Sequence, residues 1–154
     1  MRRYRPRGGM VKILTMMFWA VVLAAPAAFG QGAETHRALS IDQCVNQFTP
    51  AKVESTQAGY QYWFVGKEFL DGRTLKMSVV RPHSATHPPH AHPEDEFFFI
   101  LEGTAEFFLD DSTRIGRPYA SFYCPPGRKH GIRNVGDTEL KYLVVKKYPA
   151  TGGK

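Results

Sequence analysis

From Gly59 onward the chain is a succession of short runs of β-branched and aromatic residues, each closed by Gly, Pro or Asp. The runs lie at 60–65, 74–81, 96–101, 104–109, 119–124, 129–134 and 139–147. Several alternate with a period of two, as where Leu75, Met77 and Val79 interleave with Lys76, Ser78 and Val80. That period sends alternate side chains to opposite faces of an extended backbone, which is the pattern of half-buried strands. The joints carry turn chemistry: Asp71-Gly72, Glu102-Gly103, Asp110-Asp111, Pro126-Gly127 and Val135-Gly136-Asp137. Beyond residue 50 no stretch shows a helical period. Strands with no helix to cover them must pack sheet on sheet or close on themselves. The expectation is therefore one all-β domain at 59–149. An arm at 31–58 precedes it, in which Ser40 and Gln43 open a short helix through Val45 that Pro50 stops.

The first 30 residues have a different character. Arg2, Arg3, Arg5, Arg7 and Lys12 precede an apolar stretch at 13–25, and the small residues Ala24-Ala25-Pro26-Ala27-Ala28 follow. This is the layout of a secretory signal peptide, too short in its apolar part for a stable membrane span. Cleavage after Ala27 or after Gly30 fits equally well. The formal charge of +6 is largely this segment: without its five basic residues, 15 Lys and Arg face 14 Asp and Glu. The basic balance thus gives no reason to expect a nucleic-acid partner. Export to the periplasm or the medium is expected, with no membrane association after cleavage. In such an oxidising compartment Cys44 and Cys124 are either a disulfide or two separate thiols.

Four of the six histidines, His83, His87, His90 and His92, crowd one Pro-rich segment. His90 and His92 are two apart, so their imidazoles leave the same face of an extended backbone. Glu96 follows at even parity, and His130 comes later, behind the turn Pro125-Pro126-Gly127. Neutral imidazoles with a carboxylate are a first shell suited to Mn, Fe, Co, Ni, Cu or Zn.

The spacing of these residues resembles the two motifs of the cupin superfamily. The first is His90-x-His92, three residues, Glu96, six residues, Gly103; the second is Pro125-x-Gly127, two residues, His130, three residues, Asn134. The opening glycines of the two motifs are replaced by Ser84 and Tyr119. The resemblance implies a small single-domain jelly-roll β-barrel, with His90, His92, Glu96 and His130 as ligands to one divalent transition metal. It also implies a small oxygen-rich substrate and dioxygenase, isomerase or lyase chemistry, the alternative being a non-catalytic module that binds a sugar or another small ligand. A homodimer through the arm is the expectation on family grounds. His87, Glu94 and Tyr123 are candidates for proton transfer, and Arg128 and Lys129 for meeting an anion. Which of Tyr123 and Cys124 points inward, and whether Phe97, Phe98, Phe99 and Ile100 form a platform or a core strand, are left open at this level.

Overall fold

The computed structural model describes residues 38–149, so the signal segment at 1–30 and the start of the arm lie outside the described residues. The arm contributes helix α1 (Ile41–Cys44), whose Ser40 and Gln43 form the expected reciprocal cap, and a 3-10 turn at Pro50–Lys52. Nine strands follow: β1 (Glu54–Thr56), β2 (Gly59–Leu70), β3 (Arg73–Val80), β4 (Glu96–Glu102), β5 (Ala105–Leu109), β6 (Ser112–Gly116), β7 (Ser121–Cys124), β8 (His130–Asn134) and β9 (Leu140–Lys147). They pair antiparallel in a six-stranded sheet ordered β1-β2-β3-β9-β4-β7 and a three-stranded sheet ordered β6-β5-β8. The fold is all-β, as the alternation requires. The two strands not expected, β1 and β6, are short and almost wholly exposed, so they lack the apolar face that makes a strand legible.

Between the sheets lies one core, built from Val80, Phe98, Ile100, Leu140, Tyr142 and Val144 on one side and Ala105, Phe107 and Ile132 on the other. The run Phe97–Ile100 is resolved by parity: Phe98 and Ile100 are buried, while Phe97 and Phe99 face outward. A second cluster, Tyr62, Met77 and Val79, forms on the outer face of β2 and β3, where Val53 of the arm packs. Tyr62 Oη donates to the Gln47 carbonyl at 2.8 Å and accepts from Thr49 N–H at 3.2 Å. The arm thus packs onto its own sheet. Cys44 is exposed, Cys124 is buried, and both are free thiols.

Two positions tied to the spaced motifs have a left-handed backbone. Gly103 adopts φ +86°, and a Cβ there would sit 2.5 Å from the Glu139 carbonyl oxygen, so only glycine fits. Tyr119, where the second motif has its glycine, adopts φ +72° with its ring exposed. The left-handed turn persists although the residue that favours it is gone.

Candidate metal centre

The loop between β3 and β4 is pinned across the start of β8. His90 N–H donates to the His130 carbonyl at 2.9 Å and His130 N–H returns to the His90 carbonyl at 2.8 Å. This two-way bridge carries the His-x-His segment to the end of the barrel where Glu96 begins β4. One nitrogen from each of His90, His92 and His130 then lies within a cluster of atoms no more than 4.8 Å apart. Asn134, the last residue of the second motif, acts at a distance from the cluster. It is buried and donates Nδ2 to the carbonyls of Val80 (3.0 Å) and Thr138 (2.7 Å), while Oδ1 accepts from Gly136 N–H (2.9 Å). It ties β8 to β3 and to the turn before β9.

Hydrogen bonds fix the tautomers of two of the imidazoles. His92 Nδ1 donates to the Glu94 carbonyl at 2.7 Å, and His130 Nδ1 donates to the Arg128 carbonyl at 2.8 Å. In each neutral ring this leaves Nε2 with a lone pair. Both lone pairs face the same carboxylate oxygen: Glu96 Oε1 is 3.6 Å from His92 Nε2 and 3.0 Å from His130 Nε2. Electron-rich atoms so placed repel one another unless a cation lies among them, either a proton that lets His130 Nε2 donate to Glu96 Oε1 at 3.0 Å or a metal ion. Burial sharpens the conflict, since Glu96 and His130 are 7% and 0% exposed. Among the described residues, the buried side-chain polar atoms without a hydrogen-bond partner are His90 Nδ1, His92 Nε2 and Thr56 Oγ1, and all three residues line one cavity of about 260 Å³. Three imidazoles and a carboxylate, two of the rings oriented by main-chain carbonyls, fit a divalent transition ion.

The remaining candidates separate by position. His87 lines the cavity, its ring centroid 4.4 Å from that of His90. Glu94 Oε2 stands 3.5 Å from His92 Nδ1 and 3.5 Å from Lys146 Nζ. A hydrogen bond from its own backbone N–H holds the Glu94 carboxyl below the usual range; burial opposes this and Lys146 reinforces it. Tyr123 faces out, paired with Phe97 across the ladder, its ring centroid 4.8 Å from that of Phe97. It is thus removed from proton transfer in the cavity. Cys124 faces in beside Glu96 and His130, and burial, followed by the Glu96 charge, keeps the thiol protonated. Arg128 pairs with Asp110, and Lys129 stands over the Phe108 ring at 5.8 Å, so neither side chain lines the cavity. Arg128 matters to the cluster through its carbonyl.

Lys76 and Lys146, which the sequence reading passed over, also line the cavity. The signal was parity: Lys76 shares a face of β3 with Ser78 and Val80, and Lys146 shares a face of β9 with Tyr142 and Val144.

Residues 76–146 match the family described as a cupin domain. Among solved structures, the chain is similar to a Cupin 2 conserved barrel domain protein from Salinispora arenicola, with 19% identity, a TM-score of 0.57, and 72% of this chain and 90% of that one covered. A predicted oxalate decarboxylase from Thermotoga maritima aligns at 21% identity and TM-score 0.58, covering 67% of this chain and 97% of that one. The polyketide cyclase RemF from Streptomyces resistomycificus aligns at 20% identity and TM-score 0.58, covering 70% and 82%. No curated protein sequence matches the chain. With two antiparallel sheets around one core, the histidines and glutamate of the two spaced motifs gathered at one end of it, and this family match, residues 76–146 form a small domain of the cupin superfamily.

Proposed function

We propose that the protein is an exported, metal-dependent enzyme acting on a small oxygen-rich molecule. The observation that carries this is the convergence of two lone-pair nitrogens, His92 Nε2 and His130 Nε2, on one oxygen of a buried carboxylate. His90, His92, Glu96 and His130 would hold one divalent transition ion. Bound there, such an ion supplies Lewis acidity toward neighbouring oxygens of a substrate, the property that isomerase, lyase and dioxygenase reactions share.

The chain's own residues do the rest. The Glu94 and Arg128 carbonyls keep His92 and His130 in one tautomer and one orientation, which preserves the donor set through a catalytic cycle. Phe98, Ile132 and Val144 form the apolar part of the cavity wall and limit water near the reacting atoms. His87, on the cavity wall, is the group placed to take up or release a proton on a bound molecule. Glu94, already ion-paired with Lys146, is the less free of the two remaining candidates.

The test is metal analysis of the purified protein followed by turnover assays on an enediol, a catechol, an α-keto acid and a uronate. Turnover that stops with chelator and returns with metal supports the enzyme. Oxygen consumption marks the dioxygenase branch, and oxygen-independent product marks the isomerase or lyase branch. Saturable binding without chemical change, under every metal tried, would instead establish the non-catalytic module. Export rests on the segment at 1–30 and is tested by intact mass: a product recovered outside the cytoplasm beginning near Ala28 or Gln31 supports it, and a mature protein retaining residues 1–30 overturns it.

A further inference from the structure

The cavity has a second chemical side. On β3 the inward row reads Thr74, Lys76, Ser78, Val80, and on β9 it reads Leu140, Tyr142, Val144, Lys146. Register places Thr74 and Glu96 on either side of Lys146, and Lys76 beside Val144. The two lysines are therefore diagonal neighbours on adjacent strands, about 7–8 Å apart at Cα, and Lys146 is directly beside Glu96.

Neither ammonium is well satisfied. The Lys146 side chain is 8% exposed and has one carboxylate in range, Glu94, at 3.5 Å, which is long for a hydrogen bond, although the group has three protons to donate. Lys76 has no ion-pair partner among the described residues; its Nζ stands 5.1 Å from the Trp63 ring centroid, and burial pushes its pKa down. The Glu96 charge, and after it that of Glu54, opposes this shift, but Glu96 is turned toward the histidines and neither carboxylate forms an ion pair with the Lys76 ammonium. Thr56 Oγ1, one of the buried orphan atoms, lines the same cavity. Burying ammonium groups without full compensation is unfavourable, so the arrangement calls for a negative group from outside the chain.

We propose that Lys76 and Lys146, with the Thr56 hydroxyl, form an anion-binding wall opposite the histidines, and that the cavity takes a small dicarboxylate whose chelating end faces the metal centre. The orientation rests on the metal reading above; the wall itself does not. A cavity of about 260 Å³ has room for an acid of four or five carbons. Lys76 lies two strands from Glu96, about 10 Å across the sheet, so a lysine side chain meets a carboxylate at the far end of a short acid.

The probes are malate against 2-hydroxybutanoate and 2-hydroxyglutarate against 2-hydroxypentanoate. Each pair shares a chelating end and chain length and differs in the tail carboxylate. Calorimetry on the zinc-loaded full chain should show each dicarboxylate bound about ten- to a hundredfold more tightly than its partner, the range of a charge-assisted hydrogen bond. Lys76→Met should bring that ratio to within about threefold with zinc content unchanged, while Lys76→Arg retains most of it. Lys146→Met should also lower the ratio, and because Lys76 is the more exposed of the two, its variant keeps the test open if Lys146→Met does not fold. An unchanged ratio in Lys76→Met, or no dicarboxylate preference in the wild type, overturns the anion wall. A wild type that binds no zinc overturns the metal reading alone, since the same ratios measured without metal still decide the role of the lysines.

Discussion

The two ends of the barrel interior are built from the same three strands and differ in what those strands point inward. Toward one end the inward residues are Val80, Ile100 and Leu140, all essentially buried and apolar. Toward the other they are Thr74, Lys76, Glu96 and Lys146, joined there by His90, His92 and His130. Antiparallel pairing aligns the N-terminal ends of β3 and β4 with the C-terminal end of β9, so the polar ends meet. One end repays the entropy of folding; the other accumulates unpaired lone pairs and undercompensated charge and is held in place by the first. A mutation should therefore damage either stability or ligand binding according to the end it falls in.

The largest effect is expected at the apolar end. Leu140→Ala empties a fully buried site in contact with both sheets and should cost about 2–5 kcal/mol in chemical denaturation, with metal bound per folded molecule unchanged. A folded Leu140→Ala protein that has lost its metal would show that the ends are not separable. At the polar end the converse holds. His92→Ala removes one of the two nitrogens aimed at Glu96 and should lower metal affinity by at least about a hundredfold, while His36→Ala, outside the described residues, should leave it unchanged. Equal metal content in the two variants would refute the ligand assignment.

Acid should act on the polar end with a smaller effect. Burial first, then the neighbouring His87, His130 and His92, hold the His90 pKa below its ordinary 6.5. The unfolded chain then takes up this proton before the folded one as pH falls. Stability of the chelator-treated protein should be flat with respect to this group above about 6.5 and decline below it, until the folded ring also protonates. His90→Gln should flatten that decline in pH-dependent melts. A slope identical in the variant would assign the acid sensitivity elsewhere.

How far the sequence reveals these ends differs for each. The apolar end was legible because a period of two with branched and aromatic residues has one physical reading, and seven of the nine strands follow from it. The histidine cluster was legible through its resemblance to the two cupin motifs; the even parity of His90 and His92 puts those two imidazoles on one face, but parity alone does not bring His130 beside them. The lysine wall was not, although its parity was in view, because an isolated Lys in a strand is ordinarily a solvent-facing residue and its surroundings depend on a partner seventy positions away. Tyr123 and Cys124 could not be ordered for the same reason: which of them faces inward is set by the Glu96↔Cys124 register, a long-range property.

The smallest expected effect lies at a turn outside both ends. Tyr119 stands where the cupin motif has glycine, yet its φ of +72° is the value a glycine would take. A side chain in that region costs about 1–2 kcal/mol, and replacing it with glycine adds about 0.5–1 kcal/mol of backbone entropy to the unfolded state. The hydroxyphenyl ring offers little to set against this, being 80% exposed and 6.5 Å between centroids from Phe99. Relief of strain exceeds the entropic loss, so Tyr119→Gly should stabilise the fold by about 0.5 kcal/mol, whereas Tyr119→Val should destabilise it because a β-branched residue tolerates positive φ least. Neither should move metal affinity, because the backbone around Tyr119 donates to Ile100 O and so touches the apolar end alone. If Tyr119→Gly is destabilising instead, the aromatic contact with Phe99 outweighs the strain, and the retained left-handed turn is maintained by its side chain rather than in spite of it.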